Sequence, residues 1–75
     1  MVRAYVLITA TPGKALDVAQ QLQGKQGVIA ADAITGEYDV IVQVQAEDVP
    51  GIGRLIVDKV QAADGVFKTV TCLAV

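Results

Sequence analysis

Hydrophobic residues fall in two rhythms along this chain. Val2 to Thr9 is rich in β-branched and aromatic residues and too short for a buried helix, which predicts a strand. Thr11-Pro12 follows as a helix N-cap with proline at the first helical position. Beyond it Ala15, Leu16, Ala19 and Leu22 recur at helical spacing, with Lys14, Asp17, Gln20, Gln21 and Gln23 on the other face. Gly24 and Gly27 stop this helix. A second strand is expected from Val28 to Thr35, a tight connection at Gly36-Glu37, and a third strand from Tyr38 to Gln45. Strands joined so closely are antiparallel neighbours. Glu47-Asp48 places acidic side chains at the start of a second helix, where they suit its macrodipole. Pro50 falls in its first turn, where a missing N–H costs little. Val49, Ile52, Leu55, Ile56 and Val60 form its apolar stripe. Gly51 and Gly53 weaken it by about 1 kcal/mol each relative to Ala, so packing has to hold it. Gly65 ends the turn, and Val66 to Val75 is the fourth strand.

The order is βαββαβ, two βαβ halves in series. The halves rhyme: Gly27-Val28 opens the last strand of the first, and Gly65-Val66 opens that of the second. Two right-handed βαβ units joined by a hairpin give a four-stranded antiparallel sheet with both helices on one face. The expected class is α+β, a ferredoxin-like sandwich, with residues 1–75 as a single domain and no linker inside it.

Strand alternation sorts the two faces of that sheet. Ala4, Val6 and Ile8, Val40, Val42 and Val44, with Val70 and Cys72, are purely apolar and belong under the helices. The opposite phase holds Arg3, Tyr5, Leu7 and Thr9, then Asp39, Ile41, Gln43 and Gln45, then Phe67, Thr69, Thr71 and Leu73. Tyr5, Leu7, Ile41, Phe67 and Leu73 would all be exposed on a monomer. So many apolar groups among neutral polar ones fit a protein interface. The second strand resists assignment, because Ala30, Asp32 and Ile34 alternate with Ile29, Ala31, Ala33 and Thr35.

Composition sharpens this. Of the 75 residues 53% are hydrophobic and 19% charged, more apolar material than one small core hides. No run approaches the 18 or so apolar residues of a spanning helix, so self-association is the expected outlet. The chain has no His, Ser, Asn or Trp, which removes imidazole catalysis and most zinc and copper sites, and no metal or cofactor is expected. One cysteine, Cys72, permits no internal disulfide and reads as a small buried residue. Six basic residues are scattered against eight acidic ones, with no cluster for a phosphate track. Direct nucleic-acid binding and membrane attachment are not expected, and the cytoplasm is the default compartment.

The most informative stretch is Thr35-Gly36-Glu37-Tyr38-Asp39 at the hairpin tip. Gly36 permits a positive φ or close backbone approach. Asp39 can accept from an ammonium group, and peptide N–H groups at a turn can hold a carboxylate. A free amino acid offers both. From pattern alone, a plain hairpin turn with an aromatic at the strand start is the favoured alternative.

Tyr38-Asp39 after Thr35-Gly36, then Ala46-Glu47-Asp48, then Gly65-Val66 and Thr69-Val70-Thr71-Cys72 resemble the Lrp/AsnC family. The likeness is to its C-terminal amino-acid-sensing (RAM) domain, and Ala4-Tyr5-Val6-Leu7-Ile8 followed by Pro12-Gly13 fits as well. It covers essentially the whole chain. The resemblance implies a stand-alone sensing domain, since these residues contain no helix-turn-helix. It implies a homodimer joined through the sheets as a dimeric α/β barrel, dimers arranged in an octameric ring, and full-length Lrp/AsnC-type regulators as partners. It also implies a free amino acid as effector near the hairpin. By position Gly36, Tyr38 and Asp39 would belong to that site, with Thr69 and Thr71 as further contributors. A non-enzymatic sensing and oligomerisation module is thus expected, regulating transcription or metabolism through its partners. A cofactor-free enzyme of the dimeric α/β barrel type and an assembly-only protein are the alternatives.

Overall fold

A computed structural model describes all 75 residues. The elements are β1 (Val2–Ala10), α1 (Ala15–Leu22), β2 (Val28–Ala33), β3 (Val40–Ala46), α2 (Val49–Leu55) and β4 (Val66–Leu73). A π-helical turn, Ile56–Val60, prolongs α2. The sheet is antiparallel with order β2-β3-β1-β4. This is the expected α+β arrangement of four strands and two helices.

The core lies between one sheet face and the helices. Ala4, Val6 and Ile8 of β1 meet Val40, Val42 and Val44 of β3 there, beneath Val18, Ala19 and Leu22 of α1 and Ile52, Leu55, Ile56 and Val60. Only 15 of 75 residues are buried, every one of them apolar, so much of the hydrophobic half of the chain stays at the surface. The repeated glycine-valine pair has a physical basis. Gly27 and Gly65 have φ of +88° and +96°, a region costly for any residue with a Cβ. Each carbonyl then accepts a neighbouring N–H, Gly27 from Gln45 and Gly65 from Thr11, both at 2.8 Å.

Several expectations need correction. Thr11 does not cap α1, and Pro12 is not its first residue. The Lys14 N–H donates to the Thr11 carbonyl to close a turn, Gly13 takes φ +83°, and Lys14 stands at the N-cap position without a side-chain cap hydrogen bond. Leu16 does not face the core but is 70% exposed; Val18 takes the inward position. Asp48 caps α2 by accepting from the Gly51 N–H at 2.7 Å, while Val49 stands outside the stripe, exposed. The connection between β2 and β3 is six residues long, not a tight turn.

β4 departs furthest from the expected alternation. Its pairing sets Thr71 opposite Val6, Thr69 opposite Ile8 and Leu73 opposite Ala4. Directly paired residues share a face, so these three lie on the helix-bearing side. Val70 and Cys72 lie on the open side with Leu7 and Tyr5, and Cys72 is exposed. A bulge is the cause, because Ala10 pairs with Val66 and Thr9 with Lys68, leaving Phe67 as an extra residue. One inserted residue reverses the alternation beyond it. Phe67 therefore sits on the bulge, 76% exposed, and the open face holds Tyr5, Leu7 and Ile41 of the five apolar residues assigned to it. A second bulge at Ile29 explains why β2 resisted assignment. Val28, Ala31 and Ala33 pair with Val44, Val42 and Val40 and point inward, and Ala30 and Asp32 point outward.

Candidate functional site

Asp39 organises the end of the sheet where β2 passes to β3. The Ile34 N–H donates to the Asp39 carbonyl at 2.8 Å, which closes the 34–39 connection. The Asp39 N–H donates to the Ile8 carbonyl at 2.9 Å, and its Oδ2 accepts from the Ala10 N–H at 2.8 Å. The aspartate therefore holds the end of β1 as well as beginning β3. Its Oδ1 accepts no hydrogen bond within the chain, and no cation pairs with it. The two ion pairs present are Lys14–Asp17 at 3.8 Å and Arg54–Asp48 at 3.9 Å.

Ahead of Asp39 the backbone is presented to solvent. Thr35, Gly36 and Glu37 are exposed and Tyr38 is half-buried. The N–H groups of residues 35 to 38 have no acceptor in the chain, whereas those of Ile34 and Asp39 do. Gly36 has φ +126°, with nothing within 4 Å of where a Cβ would stand. Backbone conformation, not crowding, calls for glycine at this point.

Sequence reasoning missed the second wall. A hollow of about 230 Å³ is lined by Asp39 together with Ala10, Thr11, Pro12, Gly13, Ala15 and Leu16. The Ala10–Asp39 hydrogen bond draws the turn before α1 against the aspartate. Leu16, outside the buried stripe of α1, forms part of this wall. The residues carrying that signal are 25 positions or so from Asp39, and only the fold joins them.

Thr69 and Thr71 are not brought to this point within one chain. They stand on β4, which lies across β1 from β3, roughly 10 Å away by strand spacing. Thr69 Oγ1 accepts instead from Gln61 Nε2 at 3.2 Å. The arrangement suits non-covalent capture: a carboxylate with one oxygen uncommitted, a run of peptide donors, and an apolar wall. It supplies no activated nucleophile. Tyr5 pairs with Gln43 and Cys72 farther down the sheet and does not meet Asp39. The surface depressions are open, and no group of three His, Cys, Asp or Glu side chains stands close enough to hold a metal ion. No helix is long and apolar enough to cross a membrane.

The chain is 34% identical over 95% of its length to the helix-turn-helix-type transcriptional regulator PH1916 of Pyrococcus horikoshii, of which it covers 49%. It thus spans about half the length of the curated relatives it matches. Among solved structures, FFRP-DM1 superposes with a TM-score of 0.91 at 29% identity, each chain covered completely. The transcriptional regulator NMB0573 of Neisseria meningitidis, solved as a complex with L-Met, superposes with a TM-score of 0.84 over 99% of this chain and 49% of that one. At 18% identity this last likeness is one of fold. The family model described as the Lrp/AsnC ligand binding domain matches residues 3–75. This chain belongs to the Lrp/AsnC family, and the match assigns it to that family's ligand-binding domain.

Proposed function

We propose that this domain binds a free amino acid at the connection between β2 and β3 and self-associates through its open sheet face. The observation that carries the ligand reading is Asp39, whose carboxylate is fixed through Oδ2 by the Ala10 N–H while Oδ1 has no partner. An α-ammonium group supplies the missing charge-assisted donor. The N–H groups of residues 35 to 38 then provide donors for the α-carboxylate, and the ligand side chain lies against Pro12 and Leu16. The L-Met complex of NMB0573, on the same fold, is consistent with a ligand of this class.

The assembly half rests on the open face. Tyr5, Leu7 and Ile41 lie together there with Val70, with no helix above them. Two sheets packed on that face form the dimeric α/β barrel, and dimers joined further into an octameric ring bring Thr69 and Thr71 of neighbouring copies toward the Asp39 site. The signal passes to transcription through partners, full-length regulators of the family among them, in the cytoplasm. Catalysis is not part of this reading, because relatives are described as regulators and Tyr5 and Asp39 do not meet.

The Asp39→Asn variant tests the site cleanly. Asn keeps an oxygen for the Ala10 N–H, so the fold survives, but the charge that meets the ammonium is gone. A lost charge-assisted hydrogen bond is worth about 1.5–3 kcal/mol. Calorimetric titration of the effector amino acid is expected to show affinity at least about tenfold weaker. Equal affinity in the variant would remove Asp39 from the site.

A further inference from the structure

Strand pairing lays out the open face residue by residue. From β2 to β4, one row across the sheet is Ala30, Gln43, Tyr5 and Cys72, and the next is Asp32, Ile41, Leu7 and Val70. Lys68, opposite Thr9, is the next residue on this face along β4. Between the edges these two rows are apolar or neutral; Arg3 stands farther along β1, opposite Gln45. Opposite charges stand at the two edges, Asp32 on β2 and Lys68 on β4, both exposed. Neither belongs to an ion pair within the chain. Three strand spacings, about 14 Å, separate those edges, so the two side chains cannot meet in one copy.

We propose that a second copy of this chain covers the face about a two-fold axis running along the strands, so that Asp32 of each copy pairs with Lys68 of the other. This orientation rests on the sheet-to-sheet dimer proposed above. In an aligned sandwich the strands of packed sheets stay within about 30° of each other, and that packing leaves two choices of axis. An axis across the strands lays β2 on β2 and β4 on β4, gathering the aspartates at one edge and the lysines at the other. An axis along the strands lays β2 over β4 and β3 over β1. Ile41 then faces Leu7 in the centre, and each edge brings one acid to one lysine. Lys68 lies one same-face step, about 7 Å, from the point over Asp32, a distance its four-carbon stem spans. The same axis sets Val70 and Cys72 of the second copy over a shallow hollow of about 150 Å³ between Tyr5, Ala30, Asp32, Ile41 and Gln43. Shape and charge select the same orientation. The edge pairs then act on specificity, because the alternative axis, across the strands, brings like charges together.

Charge reversal tests this through sedimentation velocity over a concentration series, with circular dichroism to confirm that each variant is folded. D32K and K68D homodimers each carry two repulsive edges, and their dissociation constants are expected to rise at least about tenfold over the unmodified protein. An equal mixture of D32K and K68D is expected to form heterodimers near the original affinity, since both edges become attractive again. The doubly substituted chain carrying D32K and K68D restores the homodimer for the same reason. If the unmodified protein dimerises but the single reversals are as tight as it is, or the mixture as weak as its components, the orientation is wrong while the dimer stands. A monomeric unmodified protein would overturn the sheet dimer itself and the orientation with it.

Discussion

Gly65→Ala is expected to lower the melting temperature by at least about 10 °C. Gly65 has φ +96°, and a Cβ there would lie 2.8 Å from the Lys14 Cβ, closer than two carbon atoms approach. Backbone strain alone costs on the order of 1–3 kcal/mol. Relief of the clash would move the Gly65 carbonyl, which accepts the Thr11 N–H at 2.8 Å. That bond ties β4 to the turn beside Asp39, so the substitution loosens the candidate site along with the fold. Gly13→Ala is the control. Its φ of +83° carries similar backbone strain, but nothing stands within 4 Å of its Cβ position. Differential scanning calorimetry should show the smaller loss there; equal losses would mean that the contact with Lys14 contributes nothing.

Leu7→Asp is expected to convert the assembled protein into a folded monomer. Leu7 pairs with Ile41 and Val70 on the open face, where it is half-buried in the single chain. In the proposed dimer it meets Ile41 of the second copy, and a carboxylate there loses its water without gaining a cation. An uncompensated buried charge raises the dissociation constant by about 100-fold or more. Light scattering at micromolar concentration should report a monomer, with the far-ultraviolet spectrum kept. Unchanged mass would place the interface elsewhere on the molecule.

The fold was legible in the sequence where strands are central and continuous. Ala4, Val6 and Ile8, and Val40, Val42 and Val44, alternate without interruption, and all six are fully buried. The edge strands were not legible, and the cause is the same in both. Ile29 in β2 and Phe67 in β4 are extra residues in bulges, a device common at sheet edges. Neither position carries a residue type that announces an insertion. Unbroken alternation would set Val70 and Cys72 inward with Val66, whereas the pairing sets them outward. The edge position of β4 leaves both of its phases at least partly exposed, so neither face is marked by a fully buried residue.

The candidate site divides in a similar way. Gly36, Tyr38 and Asp39 are consecutive enough to be read as one segment, and the structure keeps them together at the 34–39 connection. The turn at Thr11–Gly13 and the exposed Leu16 belong beside them only because the Asp39 carboxylate accepts the Ala10 N–H. A hydrogen bond between positions 29 apart leaves no trace in local pattern. Thr69 and Thr71 fall on the helix-bearing side of β4, away from Asp39, so in the proposed site they would have to come from neighbouring copies.

In the proposed function a free amino acid bound at Asp39 stabilises this domain. Thermal unfolding of the protein in the presence of each proteinogenic amino acid at millimolar concentration tests it most directly. A ligand at 100 times its dissociation constant adds about 2.7 kcal/mol, more than about 10 °C for a domain of this size. At least one amino acid is expected to raise the melting temperature in this way, with the rise lost in Asp39→Asn. A melting temperature that no amino acid moves would contradict the claim and leave assembly as the function of the domain.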